Sequence, residues 1–243
     1  MSFPRVTILV YRLIILQLAL LIVTATTYAD DYEYVDSILE LTQLSTGTPK
    51  QVDLYNELAA FYYEYNNKIK KDSTLVYLQM ALEAAEKIDY KKGLAETNYS
   101  FGKYYLGVSG NLPKATPYLL KGLDLFLKLE EKNGISKSYM QLGLISYLLH
   151  YYEGAVEKLL LSLEADNNPT SQYLLAITYS GLDSSDLAKE SFYKSITDFK
   201  KLQKSNSLND CYMWLGRLHL KTGQLDSSFY YLNKSIEFAK SKN

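Results

Sequence analysis

Apolar residues recur along most of this chain at spacings of three and four, the period of an α-helix with one buried face. The pattern stops and restarts at nearly regular intervals, and each interval has two parts. The first is an apolar run that places a small residue after a larger one: Leu58-Ala59, Phe101-Gly102, Leu142-Gly143, Leu175-Ala176 and Leu215-Gly216. The second is an i, i+4, i+7 set with mostly small outer members and a large middle one. These sets are Thr74/Leu78/Ala81, Ala115/Leu119/Gly122, Ala155/Leu159/Ser162, Ala188/Phe192/Ser195 and Ser228/Leu232/Ser235. The small residues Ala59, Gly102, Gly143, Ala176 and Gly216 are 43, 41, 33 and 40 positions apart.

Two helices approach closely where small residues face each other, and a large apolar residue then fills the remaining gap. Ala59, Gly102, Gly143, Ala176 and Gly216 on first helices, with Ala81, Ala115, Ala155 and Ala188 on second helices, are the predicted packing positions. One such pair cannot bury its apolar face alone, whereas stacked pairs share a continuous core. The pattern therefore predicts an all-α chain, an α-solenoid of about five antiparallel helix pairs.

On these residues the chain resembles the tetratricopeptide repeat family. The likeness rests on the small residue at the eighth position of each unit, the small, large, small set on its second helix, and the eleventh position. That last position holds Tyr62, Tyr105, Ser146, Tyr179 and His219. The fourth position holds Tyr55, Asn98, Tyr139, Gln172 and Tyr212, so the family's frequent Trp is absent there. The resemblance covers residues 50–241 and implies a right-handed superhelix. Its units are 50–90, 91–132, 133–166, 167–204 and 205–241, and spacings near 40 suggest longer second helices, extended at Glu83–Asp89 and Asp124–Lys132. In the family the first helices line a concave groove. The resemblance maps that surface to Asn56, Tyr63, Tyr99, Lys103, Met140, Leu144, Tyr147, Tyr173, Ile177, Met213 and Arg217. Such a surface, apolar and aromatic with a few polar handles, suits an extended peptide or an amphipathic helix.

Ahead of the array, residues 1–29 read as a secretory signal peptide. Arg5 and Arg12 form a positive start, Leu13–Val23 is apolar except for Gln17, and Thr27-Tyr28-Ala29 fits a cut after Ala29. A membrane anchor over residues 6–28 is the alternative, although it would have to carry Arg12. Residues 30–49 form a leading helix and turn: Val35, Ile38, Leu39 and Leu44 lie near helical spacing and would cover the array's first interface. Thr48 is placed to cap the next helix and Pro49 to start it. Between the first two helices of the array, Asn66–Asp72 reads as a solvated loop.

Charge and chemistry narrow the function. Net charge is −1, and −3 once the signal segment with its two Arg is removed, which argues against sequence-independent nucleic-acid binding. The chain has two His and one Cys. His150 reads as a surface turn residue, His219 as a hydrogen-bonded core residue and Cys211 as a small buried hydrophobe. No spacing suits a metal, no glycine-rich loop suits a phosphate, and no cofactor is expected. Asp72-Ser73, Asp183-Ser184 and Asp226-Ser227 recur where second helices begin and read as caps. Tyr accounts for 24 of the 243 residues, more than a single core stripe needs. At the far end, Phe229, Leu232, Ile236 and Phe238 suggest an apolar edge open to self-association.

The reading is a non-enzymatic interaction scaffold in the cell envelope, exported, with a protein or peptide partner in the groove and Tyr147 and Tyr173 as central anchors. The alternative is the sensory input region of a bacterial signalling protein whose output part lies on another chain or further along.

Overall fold

A computed structural model describes residues 33–64 and 71–240. The signal segment and its cut lie outside these residues, as does most of the loop read at Asn66–Asp72. Among the described residues there are eleven helices and no strand. The described residues fall into two compact units, divided after Ile88.

The first unit contains α1 (residues 33–44), α2 (Pro49–Glu64) and α3 (Lys71–Lys87). Val35 and Ile38 of α1 are buried with Leu54 and Leu58 of α2, and Leu39, Tyr55, Phe61, Tyr62 and Tyr77 pack around them. Leu44, expected on the buried stripe of α1, is instead 77% exposed. Thr42 takes the inward position, because its hydroxyl can donate to the Ile38 carbonyl at 2.5 Å and so be buried without loss. The Thr48 hydroxyl, just ahead of α2, donates back to the Ser45 carbonyl at 2.6 Å.

The second unit contains α4 (Lys91–Gly107), α5 (Leu112–Lys128), α6 (Lys132–Leu148), α7 (Tyr152–Ala165), α8 (Pro169–Gly181), α9 (Ser185–Lys201), α10 (Ser205–Lys221) and α11 (Leu225–Lys240). From α5 onward each helix packs on the one before it, and α4, α6, α8 and α10 also meet side by side. The small residue of each first helix lies against the large residue of its partner. A Cβ added at Gly102 would come within 2.5 Å of Leu119, at Gly143 within 2.8 Å of Leu159, and at Gly216 within 2.6 Å of Leu232. Leu119, Leu159 and Phe192 are completely buried, as are Ala115, Ala155 and Ala188 beside them.

The longer spacings do not come from second helices alone. α5 and α9 have 17 residues against 14 in α7, but α6 and α10 have 17 against 13 in α8. The insertion is thus split between two neighbouring helices, each gaining about one turn. The extension read as Asp124–Lys132 accordingly ends α5 at Lys128 and begins α6 at Lys132. The added turns have their own packing: Phe126 is 1% exposed, and a Cβ on Gly134 of α6 would lie 2.3 Å from its ring.

Three-residue turns close most helices in the same way. At Glu130, His150, Asp183 and Gln203 the backbone takes φ between 54° and 58°, and at Gly223 φ is 76°. The following N–H then reaches back to the last turn, as in Glu131 N to Phe126 O at 3.1 Å and Tyr151 N to Ser146 O at 2.9 Å. This left-handed closure satisfies free carbonyls at helix ends and is usually made with Gly. Ser184 stands at the N-cap of α9, but its side chain makes no capping hydrogen bond, contrary to the cap reading. Asn111 and Asn168 do cap, accepting from Lys114 N at 3.1 Å and Thr170 N at 2.9 Å.

Candidate functional site

Nine of the eleven groove residues belong to the second unit: Tyr99 and Lys103 on α4, Met140, Leu144 and Tyr147 on α6, Tyr173 and Ile177 on α8, and Met213 and Arg217 on α10. The remaining two, Asn56 and Tyr63, lie half-buried on α2 of the first unit. Burial, and then the Glu64 carboxylate, raise the Tyr63 hydroxyl above the ordinary tyrosine range.

Because α4, α6, α8 and α10 lie side by side, corresponding positions on them share one face. Tyr99, Lys103, Met140, Leu144, Tyr147, Tyr173 and Met213 are half-buried and Arg217 is exposed. Ile177 differs, at 7% exposure and within the core of α8, α9 and α10, so it forms part of the floor. Tyr99 and Leu144 also pack against the neighbouring core around Leu119 and Leu142.

The side chains that converge lie at the α6, α8 and α10 end. Tyr147, Tyr173 and Trp214 rest on the core that includes Ile177, Cys211 and Leu215. Tyr173 packs edge-on against Phe192 at 6.1 Å, and Tyr147 lies 5.7 Å from the ring of Tyr152. Trp214 lies near enough to the Tyr173 hydroxyl to favour its ionised form, a minor effect. Burial, with the nearby Asp210 carboxylate, holds that hydroxyl protonated well above the usual tyrosine value, and burial likewise raises Tyr147. Asp210 itself is raised by burial. The Arg217 guanidinium lies over the Trp214 ring, 5.5 Å from its centroid. At the other end of α6, the Asn168 amide approaches the Met140 sulfur at 3.6 Å.

The site thus offers apolar aromatic area, tyrosine hydroxyls, one carboxylate and one guanidinium, arranged on three parallel helix faces. It lacks a paired nucleophile and base: the Cys211 thiol is completely buried and pushed up to about 12, chiefly by burial. His219 is buried, stacked on Tyr231 at 5.4 Å, and hydrogen-bonded to Gln224 at 2.5 Å. His150 is exposed in its turn, 3.0 Å from the Tyr152 hydroxyl. Among the described residues, no group of three or more His, Cys, Asp or Glu could hold a metal.

The repeat pattern does not single out Trp214 and Asp210, although Asp210, Trp214 and Arg217 follow the i, i+4, i+7 spacing of one helix face. Trp214 is also the chain's single tryptophan. That signal was masked because Leu215-Gly216 next to it defines the packing register, and the family's Trp belongs to a different position of the unit.

No family profile matches the sequence, and no curated protein sequence matches it. Solved structures do. BtubC (BKLC) from P. vanneervenii matches over 88% of this chain and 90% of its own, with a TM-score of 0.71 and 15% identity. A Rap protein complexed with competence and sporulation factor matches over 86% of this chain and 59% of its own, with a TM-score of 0.69 and 15% identity. A putative kinesin light chain from Podosopora anserina, with nearly identical TPR-like repeats, matches over 79% of this chain and 97% of its own, with a TM-score of 0.59 and 16% identity. The fold is that of a tetratricopeptide-like helical repeat protein.

Proposed function

We propose that this chain is a non-enzymatic protein-interaction scaffold that holds a peptide or a helix of a partner on the face shared by α6, α8 and α10. The observation that carries this reading is the half-buried cluster of Tyr147, Tyr173 and Trp214, flanked by Asp210 and Arg217. Aromatic side chains fixed by packing supply large contact area at little cost in conformational entropy, and Trp, Tyr and Arg dominate binding hot spots. An apolar anchor of the partner would sit against the two tyrosines and the indole. The hydroxyls, Asp210 and Arg217 would fix its register by hydrogen bonding. The structural likeness to a Rap protein complexed with competence and sporulation factor supports a binding role for the fold.

The location belongs to the same proposal. Residues 1–29 direct export and are removed after Ala29, so the scaffold works in the cell envelope. A mature chain beginning at Asp30 is the expected product, and a released chain retaining Met1 would overturn the export reading.

The test is in-cell cross-linking followed by affinity purification, comparing the native chain with Tyr147→Ala/Tyr173→Ala and with Trp214→Ala. A directly bound partner should lose at least about tenfold in affinity in either variant, since hot-spot truncations cost about 2 kcal/mol or more. A partner held equally well by both variants, with helical content intact, would remove the groove from the mechanism.

A further inference from the structure

We infer that the α10 side of the groove selects a basic side chain of the partner, a lysine or arginine held by the Tyr173 and Trp214 rings and the Asp210 carboxylate. This rests on the groove reading above and names the chemistry that the groove recognises. Asp210, Trp214 and Arg217 stand at i, i+4 and i+7 on α10, so carboxylate, indole and guanidinium follow one another along one helix face. α8 lies beside α10, and Tyr173 brings its hydroxyl into that row, where Asp210, Cys211, Trp214 and Tyr147 all act on it. The Tyr147, Tyr173 and Trp214 side chains rest on one buried core, which holds them in place without a ligand. Aromatic faces attract a cation, and a carboxylate beside them gives it a charge-assisted hydrogen bond. That combination suits an ammonium or guanidinium group.

The chain leaves this carboxylate without a cation of its own. On α9, Lys189, Lys194 and Lys201 bridge to Asp186, Glu190 and Asp198 at 3.6, 2.7 and 3.1 Å. Among the described residues, neither Asp210 nor Arg217 takes part in an ion pair. Seven residues of helix separate the two, about 10 Å along the axis, and the Arg217 guanidinium lies over the intervening Trp214 ring instead. Asp210 is open to a ligand, yet burial raises its carboxyl above the usual carboxylate range. It has lost water without gaining a partner, and a cation brought by the ligand supplies one. The positions equivalent to Asp210 on α6 and α8, seven before Leu144 and Ile177, are Lys137 and Thr170. Lys137 is two helices away, roughly 20 Å, too far to neutralise Asp210 in salt. Lys137 and Arg217 also repel a basic side chain from their own parts of the groove, so the attraction is confined to the Asp210 end of α10.

Panning a display library of random nonapeptides on the purified full chain tests this, with selected peptides then titrated by fluorescence anisotropy. The native chain should enrich peptides with Lys or Arg at one fixed position. Asp210→Asn, a near-isosteric loss of charge on an exposed residue, should weaken such a peptide at least about tenfold with unchanged helical circular dichroism. Replacing the peptide's basic residue by Gln should cost the native chain as much, and should change binding to the Asp210→Asn chain by less than about twofold. Asp210→Lys should turn the preference at that position to Asp or Glu. Peptides that need Tyr147 and Tyr173 but show no basic preference, or that bind Asp210→Asn as well as native, overturn this inference and leave the groove reading standing. If no peptide is selected that Tyr147→Ala/Tyr173→Ala releases, both fall.

Discussion

The close crossing of α6 and α7 makes a prediction whose sign depends on a second residue. A Cβ on Gly143 would lie 2.8 Å from Leu159 Cγ, 3.0 Å from Cδ2 and 3.5 Å from the Ala155 carbonyl. Carbon atoms in good contact stay about 3.5–4.0 Å apart, so Leu159 must move. Leu159 is completely buried, and overpacking a filled core costs about 1–3 kcal/mol. Against this, Ala in a helix interior is favoured over Gly by about 1 kcal/mol. Gly143→Ala should therefore destabilise by about 1 kcal/mol. Gly102→Ala should cost more, about 2 kcal/mol, because its Cβ would meet Leu119 at 2.5 Å and also the backbone N of Leu119 at 3.2 Å. Leu159→Ala alone should cost about 2–5 kcal/mol through lost burial and a cavity. It also removes the atoms with which a Cβ at position 143 collides. In the Leu159→Ala background, Gly143→Ala should then stabilise, by about 0.5–1 kcal/mol, as propensity acts alone. The two sites should show a coupling of about 2 kcal/mol, measured as a double-mutant cycle in urea unfolding followed by helical circular dichroism. A stabilising Gly143→Ala in the native background, or a change that keeps its sign when Leu159 is truncated, would refute the packing account.

Three further outcomes follow from local geometry. Glu130→Gly, at φ 55°, should raise stability by about 0.5 kcal/mol in thermal unfolding, whereas Gly223→Ala, at φ 76°, should lower it by about 1 kcal/mol. Ser162 bonds the Ser136 carbonyl at 2.7 Å and the Ser171 hydroxyl at 2.6 Å, so Ser162→Ala should cost about 1–3 kcal/mol; Ser138→Ala, which removes a buried hydroxyl with no hydrogen-bond partner, should be neutral or mildly stabilising by the same assay. The Cys211 thiol is raised by burial from 9.0 to about 12, so its protonated form contributes stability that is full below pH 9.0 and is lost as pH rises to about 12. The native chain should lose stability across that window, Cys211→Ala should show a shallower loss, and a thiol reagent at neutral pH should label Cys211 only after unfolding.

Helix pairing could be read from the sequence because it depends on short-range regularity. A small residue such as Gly143 and a large one such as Leu159 can meet only if their helices cross there, and the same pairing recurs through the chain. The alternation of size thus determined the element type, the pairing and the core. Tertiary structure decided what each half-buried position does. Ile177 and Leu144 each follow the small residue of their first helix, yet Ile177 belongs to the floor and Leu144 keeps partial exposure. Local pattern names the face of a helix, and how far the neighbouring helix covers that face is set by the packing of both. Leu44 and Thr42 exchanged expected places for the same kind of reason: a hydroxyl satisfied by its own helix can enter a core that periodicity assigns to leucine. The insertion near 124–132 could be counted but not apportioned, since its division between α5 and α6 depends on where Phe126 meets Gly134. Trp214 shows the same limit at the candidate site. Its chemistry was plain from its identity, but only the side-by-side placement of α8 and α10 sets its ring on the same core as Tyr173.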